Sequence, residues 1–156
     1  MASPITASPM KSKVLIADDD PSVRQALGNV LVTEGYRVAM TASGDEALQR
    51  LLTDGPFDLM LLDLNMPGKS GWDTFERATM LNPLLPVLII TARPDQQALA
   101  TAAGVSALAE KPLDLDKLLH TIRELIDEPA VNRLQRLAGR QQCLRQVAPR
   151  IPTASD

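Results

Sequence analysis

Aromatic side chains are almost missing from this sequence, with one Trp, one Tyr and two Phe in 156 residues. The core must therefore be assembled from Leu, Val, Ile, Ala and Met, which carry no polar tip to satisfy. Cysteine is just as scarce. Cys143 is alone, so no internal disulfide can form, which excludes a disulfide-stapled scaffold and fits a reducing compartment. No apolar run approaches the roughly 20 residues of a membrane-spanning helix. Residues 1–10 have neither the basic start nor the apolar centre of a signal peptide. The expected location is the cytoplasm, with no membrane partner.

What is present fits one globular domain with some length left for tails: 45% hydrophobic and 22% charged residues, near the average for such domains. The net charge of −3 hides an asymmetry. Residues 1–128 hold 11 Lys and Arg against 18 Asp and Glu, a balance of −7, whereas residues 129–156 hold five Arg against one Asp, a balance of +4. An acidic body argues against nucleic-acid binding and leaves only the tail open to it.

Along the chain, residues 1–11 are rich in Ser, Pro, Thr and Ala without a period and read as a disordered arm. Residues 12–128 alternate strand and helix signals. Val14-Leu15-Ile16-Ala17 is a short buried strand, followed by Asp18-Asp19-Asp20 and Pro21. Asp20 before Pro21 has the character of a helix cap rather than a metal ligand. Val23, Ala26, Leu27, Val30 and Leu31 mark one face of the first helix, which Gly35 stops. Tyr36–Met40 reads as a second strand, and Ser43 with Glu46 has capping-box spacing ahead of Leu48, Leu51 and Leu52. Asp58–Leu62 is a third strand. Gly71–Met80 is a helix whose stripe would be Trp72, Phe75 and Thr79, better explained as packing than as a ligand box. Pro86–Ile90 is a fourth strand, Pro94–Ala103 a helix stopped by Gly104, and Ser106–Ala109 a weak fifth strand. Leu115, Leu118, Leu119, Ile122, Leu125 and Ile126 define an amphipathic fifth helix that accounts for His120 as an ordinary helix residue.

Residues 129–156 form a basic extension. Val131, Leu134, Leu137, Ala138, Leu144 and Val147 suggest one more helix ending before Pro149, with Arg133, Arg136 and Arg140 as a basic stripe. Two readings stay open for it, a solvated helix or linker and a docking or homodimerisation helix.

Five alternating strand–helix units imply an α/β fold: a five-stranded parallel sheet with helices on both faces. The alternation does not fix the strand order, for which the flavodoxin-like 2-1-3-4-5 of a doubly wound sheet is the expectation. Parallel strands share a carboxyl edge, and there the chain puts Asp18-Asp19-Asp20, Asp63, Thr91 and Lys111. Asp63 is the focus, because the apolar run Met60-Leu61-Leu62 delivers it to a strand end and Asn65 and Pro67-Gly68 close the turn. Carboxylates brought together this way repel unless a cation sits between them, and hard oxygen donors with room for water favour Mg²⁺. A carboxylate beside Mg²⁺, an ammonium and a hydroxyl is a reasonable phosphoryl acceptor, since Asp can form an acyl phosphate and the reaction needs mostly positioning and charge neutralisation.

These segments resemble the receiver domain of bacterial two-component response regulators. The resemblance rests on Val14–Pro21, Leu62–Pro67 with Gly71, Thr91-Ala92 and Glu110-Lys111-Pro112, in the family's order over roughly residues 12–127. It implies that Asp63 is the phosphoacceptor and that Thr91 and Lys111 contact the phosphoryl group. Asp19 and Asp63 would bind Mg²⁺ directly, Asp18 through water, and Asn65 through its backbone carbonyl. It also implies a cis Lys111–Pro112 bond. Such a protein takes its phosphoryl group from a sensor histidine kinase or phosphotransfer protein, signals to a downstream protein, and is not a turnover enzyme. Two features depart from the pattern. Leu108 stands where the family carries an aromatic three residues before the Lys, and the stretch from Thr91 to Lys111 is about two residues shorter than usual. Both fall where phosphorylation is read out, which motivates a phosphorylation-independent interaction module as the alternative. An aspartyl-nucleophile phosphatase is disfavoured, because such enzymes place a second Asp where this chain has Asn65.

Overall fold

The computed structural model describes residues 12–66, 71–138 and 144–150. The arm at 1–11, the Pro67-Gly68 turn, Arg140 and Cys143 lie outside the described residues. The chain forms β1 (Lys13–Ala17), α1 (Pro21–Thr33), β2 (Arg37–Thr41), α2 (Gly44–Thr53), β3 (Leu59–Asp63) and α3 (Gly71–Leu81). It continues with β4 (Val87–Thr91), α4 (Gln97–Ala103), β5 (Ala107–Glu110), α5 (Leu115–Asp127), α6 (Ala130–Leu137) and β6 (Arg145–Val147). All strand pairs are parallel, in the order β2-β1-β3-β4-β5-β6.

Every residue of β3 and β4 is buried, which is why both read as unbroken apolar runs: helices cover both faces of their sheet. Side chains alternate between two cores. Leu15, Met60, Leu62, Ile89 and Leu108 point toward Ala47 of α2, Phe75 and Ala78 of α3, and Ala100 of α4. Val14, Ile16, Leu61, Leu88 and Ile90 point toward Leu27 and Leu31 of α1 and Leu118, Ile122 and Leu125 of α5. At the β2 edge burial alternates, as expected of a strand with one neighbour. Among the described residues no helix is long and apolar enough to cross a membrane.

Local signals act as the sequence suggests. Asp20 caps α1, its carboxylate accepting from the Ser22 amide at 2.9 Å and the Val23 amide at 3.4 Å. Ser43 Oγ accepts from the Glu46 amide at 3.1 Å, while Glu46 Oε1 reaches back to the Ala42 amide at 2.7 Å. Gly35 and Gly104 end their helices with φ of 94° and 78°, a backbone region costly for residues with a Cβ.

Three expectations change. The α3 face turned inward is Gly71, Thr74, Phe75 and Ala78, so the helix is rotated from the Trp72–Phe75–Thr79 stripe. The reason is close approach: a Cβ on Gly71 would sit 2.6 Å from Leu64 Cα, so the small residue has to face the sheet. Trp72 instead packs edge-on against Phe75 and donates to Gln96 Oε1 at 3.0 Å. The predicted helix over Pro94–Ala103 opens with a 3-10 turn at Pro94–Gln96 before α4 begins.

The extension differs most. α6 stops at Leu137, and Arg145–Val147 adds a sixth strand along β5, with Ala109 opposite Val147. An unpaired β5 edge would leave its backbone groups open, and the returning chain fills them. The basic stripe is also inverted. Arg136 is 5% exposed, while Val131 and Leu134 on the same helix are 54% and 46% exposed. Arg136 Nη1 and Arg145 Nη1 each donate to Glu128 Oε2 at 2.9 Å, and Arg136 Nη2 donates to Ser106 Oγ at 3.2 Å. Arg133 Nη1 donates to the Glu128 carbonyl at 3.0 Å, satisfying an open carbonyl at the end of α5. Burial pushes the Glu128 carboxyl up, but bonds from Arg136 and Arg145 outweigh it and hold it below the usual glutamate value.

Candidate functional site

Strand register assembles the site. Ala17 lies opposite Leu62, so the next residues, Asp18 and Asp63, emerge side by side from neighbouring strands. Ile90 lies opposite Asp63, so Thr91 stands one step beyond it on β4. Thr91 lies opposite Glu110, so Lys111 follows one step further on β5. Every one of these positions is a strand's carboxyl end, and backbone bonds fix them there. The Asp18 amide donates to the Thr41 carbonyl at 3.1 Å, Leu64 to Ile90 at 3.0 Å, and Lys111 to Thr91 at 2.8 Å.

Asp63 is 1% exposed and Asp18 is fully buried. Lys111 Nζ donates to Asp63 Oδ2 at 3.2 Å and lies 4.0 Å from Asp18 Oδ2. The Asn65 amide donates to Asp63 Oδ1 at 2.9 Å, which turns the backbone back toward the carboxylate. Thr91 Oγ1 accepts the Arg93 amide at 3.0 Å, so its own proton is not used in that bond. Asp18, Asp19 and Asp63 each offer an oxygen, and these oxygens all lie within 4.8 Å of one another. Asp18, Asp19, Asp63 and Lys111 thus come together at one edge, with Thr91 at the adjacent strand end. Asp20 points away, as the α1 cap.

The charge balance is lopsided, with three carboxylates to one ammonium. Burial pushes the Asp18 carboxyl up to about 6, and the neighbouring Asp63 charge adds to this, against the lowering effect of the Asp20 amide and Lys111. Asp18 Oδ1 accepts the Asp20 amide at 2.9 Å. Its other oxygen, Oδ2, is buried and accepts no hydrogen bond among the described residues. A buried carboxylate oxygen without a donor is costly. A divalent cation with oxygen ligands relieves both the repulsion and the missing partner, so the residues present fit Mg²⁺.

Two supports surround the site, of which one was not legible in the sequence. Arg24 Nη1 donates to the Asp18 carbonyl at 2.7 Å from the first turns of α1. Gly71 packs its Cα side against Leu64, between Asp63 and Asn65. Gly71 was part of the motif; Arg24 carries no local signal, because its role depends on how α1 leaves the edge.

Residues 14–123 match the response regulator receiver domain family. The chain belongs to that family. Among curated proteins, this receiver is 38% identical over 120 residues to the transcriptional regulatory protein GlrR of Escherichia coli (strain K12), covering 75% of this chain and 27% of that protein. It is 33% identical over 119 residues to the response regulator MprA of Mycobacterium ulcerans (strain Agy99), covering 75% of this chain and 51% of MprA. The receiver therefore spans about a quarter to a half of these relatives. In solved structures it resembles a CheY-like receiver domain protein from Methanospirillum hungatei JF-1, with a TM-score of 0.71, 28% identity, and 75% and 94% of the two chains covered. It also resembles the response regulator TrrA of Thermotoga maritima, solved in complex with Mg²⁺-BeF, with a TM-score of 0.68, 26% identity and 73% and 98% coverage. The fold is thus the CheY-like receiver fold, to which this chain adds α6 and β6 beyond the end of the family match.

Proposed function

We propose that this receiver accepts a phosphoryl group on Asp63 from the phosphohistidine of a sensor kinase or phosphotransfer protein. The observation that carries the reading is the Lys111 ammonium held 3.2 Å from Asp63 Oδ2 inside a cluster of carboxylates. In the transfer, an Asp63 oxygen bonds to phosphorus as the bond from phosphorus to the imidazole nitrogen breaks, giving an acyl phosphate and a free histidine. Asp63 is aimed by the Asn65 amide on one oxygen and Lys111 on the other. Lys111 then follows the new charge onto the phosphoryl oxygens, and the Thr91 hydroxyl donates to one of them. Asp19, Asp63 and the Asn65 carbonyl would hold Mg²⁺ directly, with Asp18 acting through water. Bound there, Mg²⁺ supplies charge neutralisation for the carboxylates and the phosphoryl oxygens.

The domain limits we propose are 12–128 for the receiver and 129–156 for the extension. The setting is cytoplasmic, the mode of action is phosphorylation-dependent binding of a downstream protein, and no turnover reaction is catalysed. Incubation with acetyl phosphate and Mg²⁺ tests the reading: wild type becomes labelled and Asp63→Ala does not. Equal labelling of the two, or of neither, rejects it.

One observation favours a second reading. Leu108, at the position of the usual aromatic, is 2% exposed and locked in the core against the α3–α4 side, with no ring to move on phosphorylation. A phosphorylation-independent interaction module predicts that Asp63→Ala binds the downstream partner as wild type does in a pull-down.

A further inference from the structure

The extension reaches the functional edge. Because β6 runs parallel to β5, its carboxyl end arrives where β5 delivers Lys111. Val147 lies opposite Ala109, and the chain continues through Ala148 and Pro149 to Arg150. The Arg150 amide donates to the Pro112 carbonyl at 2.8 Å. On the other side, the Lys111 amide donates to the Thr91 carbonyl at 2.8 Å. The dipeptide that carries the cation of the site is thus held between β4 of the receiver and the segment that follows β6 in the extension. At its other end β6 is fastened by Arg145 Nη1 to the buried Glu128 carboxylate at 2.9 Å. Between these ties Val147 is 3% exposed in the α1–α5 core.

We infer that β6 and its continuation to Arg150 form a strap that positions Lys111, through the Arg150 amide and the Pro112 carbonyl, for phosphoryl transfer to Asp63. Arg150 is a positioning residue, and its backbone rather than its guanidinium performs the task. The family match ends at residue 123, so the strap is an addition of this chain to the receiver. An ammonium on a four-carbon stem reaches the same point from several backbone positions only at a cost in ordering, and a fixed backbone lowers that cost at the moment of transfer. By linkage, whatever engages Lys111 more strongly must also tighten the strap.

The inference rests on the phosphoacceptor reading, and the test separates the two. Arg150→Pro deletes the donor, whereas Arg150→Ala keeps it. Both are compared with wild type for the rate of labelling by acetyl phosphate and Mg²⁺, alone and in a Lys111→Ala background. The expected result is a fall of about fivefold for Arg150→Pro, the effect of one ordinary hydrogen bond, with Arg150→Ala close to wild type. In the Lys111→Ala background Arg150→Pro adds no further loss, because the two act through one group. An unchanged rate for Arg150→Pro, or the same factor in both backgrounds, overturns the strap while leaving phosphoacceptance standing. Failure of wild type to label overturns phosphoacceptance itself. Should Arg150→Pro not fold, amide exchange in wild type decides: the Arg150 amide exchanges more slowly in the phosphorylated protein, and equal exchange in the two forms rejects the strap.

Discussion

Asp18 is the residue least at ease in this structure. It is fully buried beside Asp63, one of its oxygens has no donor among the described residues, and its carboxyl is pushed up to about 6, chiefly by burial. Without a divalent cation, replacing it by the neutral isostere should relieve this. Asp18→Asn is expected to unfold at higher temperature than wild type in metal-free buffer, by the equivalent of about 1–3 kcal/mol. The same variant should lose most of the rise in melting temperature that added Mg²⁺ gives wild type. Thermal melts with and without Mg²⁺ check both halves, and a metal-free Asp18→Asn less stable than wild type contradicts the account. That Asp18, Asp63 and Lys111 would meet was readable from the sequence, because each stands at the end of a strand signal and parallel strands end on one edge. The missing donor at Asp18 was not. It depends on register and on the direction in which α1 departs.

Elements hold these residues through contacts that leave little slack. α3 starts at Gly71, where a Cβ would lie 2.6 Å from the Leu64 backbone, next to Asp63. Gly71→Ala must push the helix or the Asp63–Asn65 turn aside, at an expected cost of about 1–3 kcal/mol, seen as a lower denaturation midpoint. An unchanged midpoint would show that the contact is soft. At the far end of the sheet, Glu128 joins α5, α6 and β6 through Arg136 and Arg145. Since its folded-state value lies below the ordinary one, its contribution is complete above the ordinary glutamate value and disappears as pH falls through the folded value. Melting curves of wild type and Glu128→Gln should therefore coincide in strong acid, separate as the pH rises toward about 4.3, and stay apart at a constant gap above it. A gap independent of pH contradicts the pairing. These features escaped sequence reading for a definite reason. Arg133 and Arg136 have the spacing of a solvated stripe, and only the free carbonyls of α5 and the buried Glu128 turn them inward. The strand at Arg145–Val147 offers three residues with one buried side chain, too short a run for a period-2 signal.

On the scale of the whole molecule, the acidic body and basic extension are one structure. The −7 balance of residues 1–128 and the +4 of residues 129–156 meet in ion pairs at Glu128 and Glu124. Three of the extension's arginines, Arg133, Arg136 and Arg145, thus find acidic or carbonyl partners within the chain. The fold class followed from the alternation of strand and helix signals, because buried strands and amphipathic helices write their periods plainly. The alternation leaves the strand order open, and the central order formed is the expected 2-1-3-4-5. The sixth strand was hidden, because its existence answers a need of β5 rather than a pattern of its own. The carboxylate cluster and its cation converge on the carboxyl edge of the sheet, where Lys111 meets Asp63. The most direct test is intact-mass analysis of the full chain after acetyl phosphate and Mg²⁺, with fragmentation to locate the modification. The account predicts one added phosphoryl group per chain, carried on Asp63, lost when Mg²⁺ is chelated beforehand. A phosphoryl group found on another residue, or addition that survives Asp63→Ala, would contradict it.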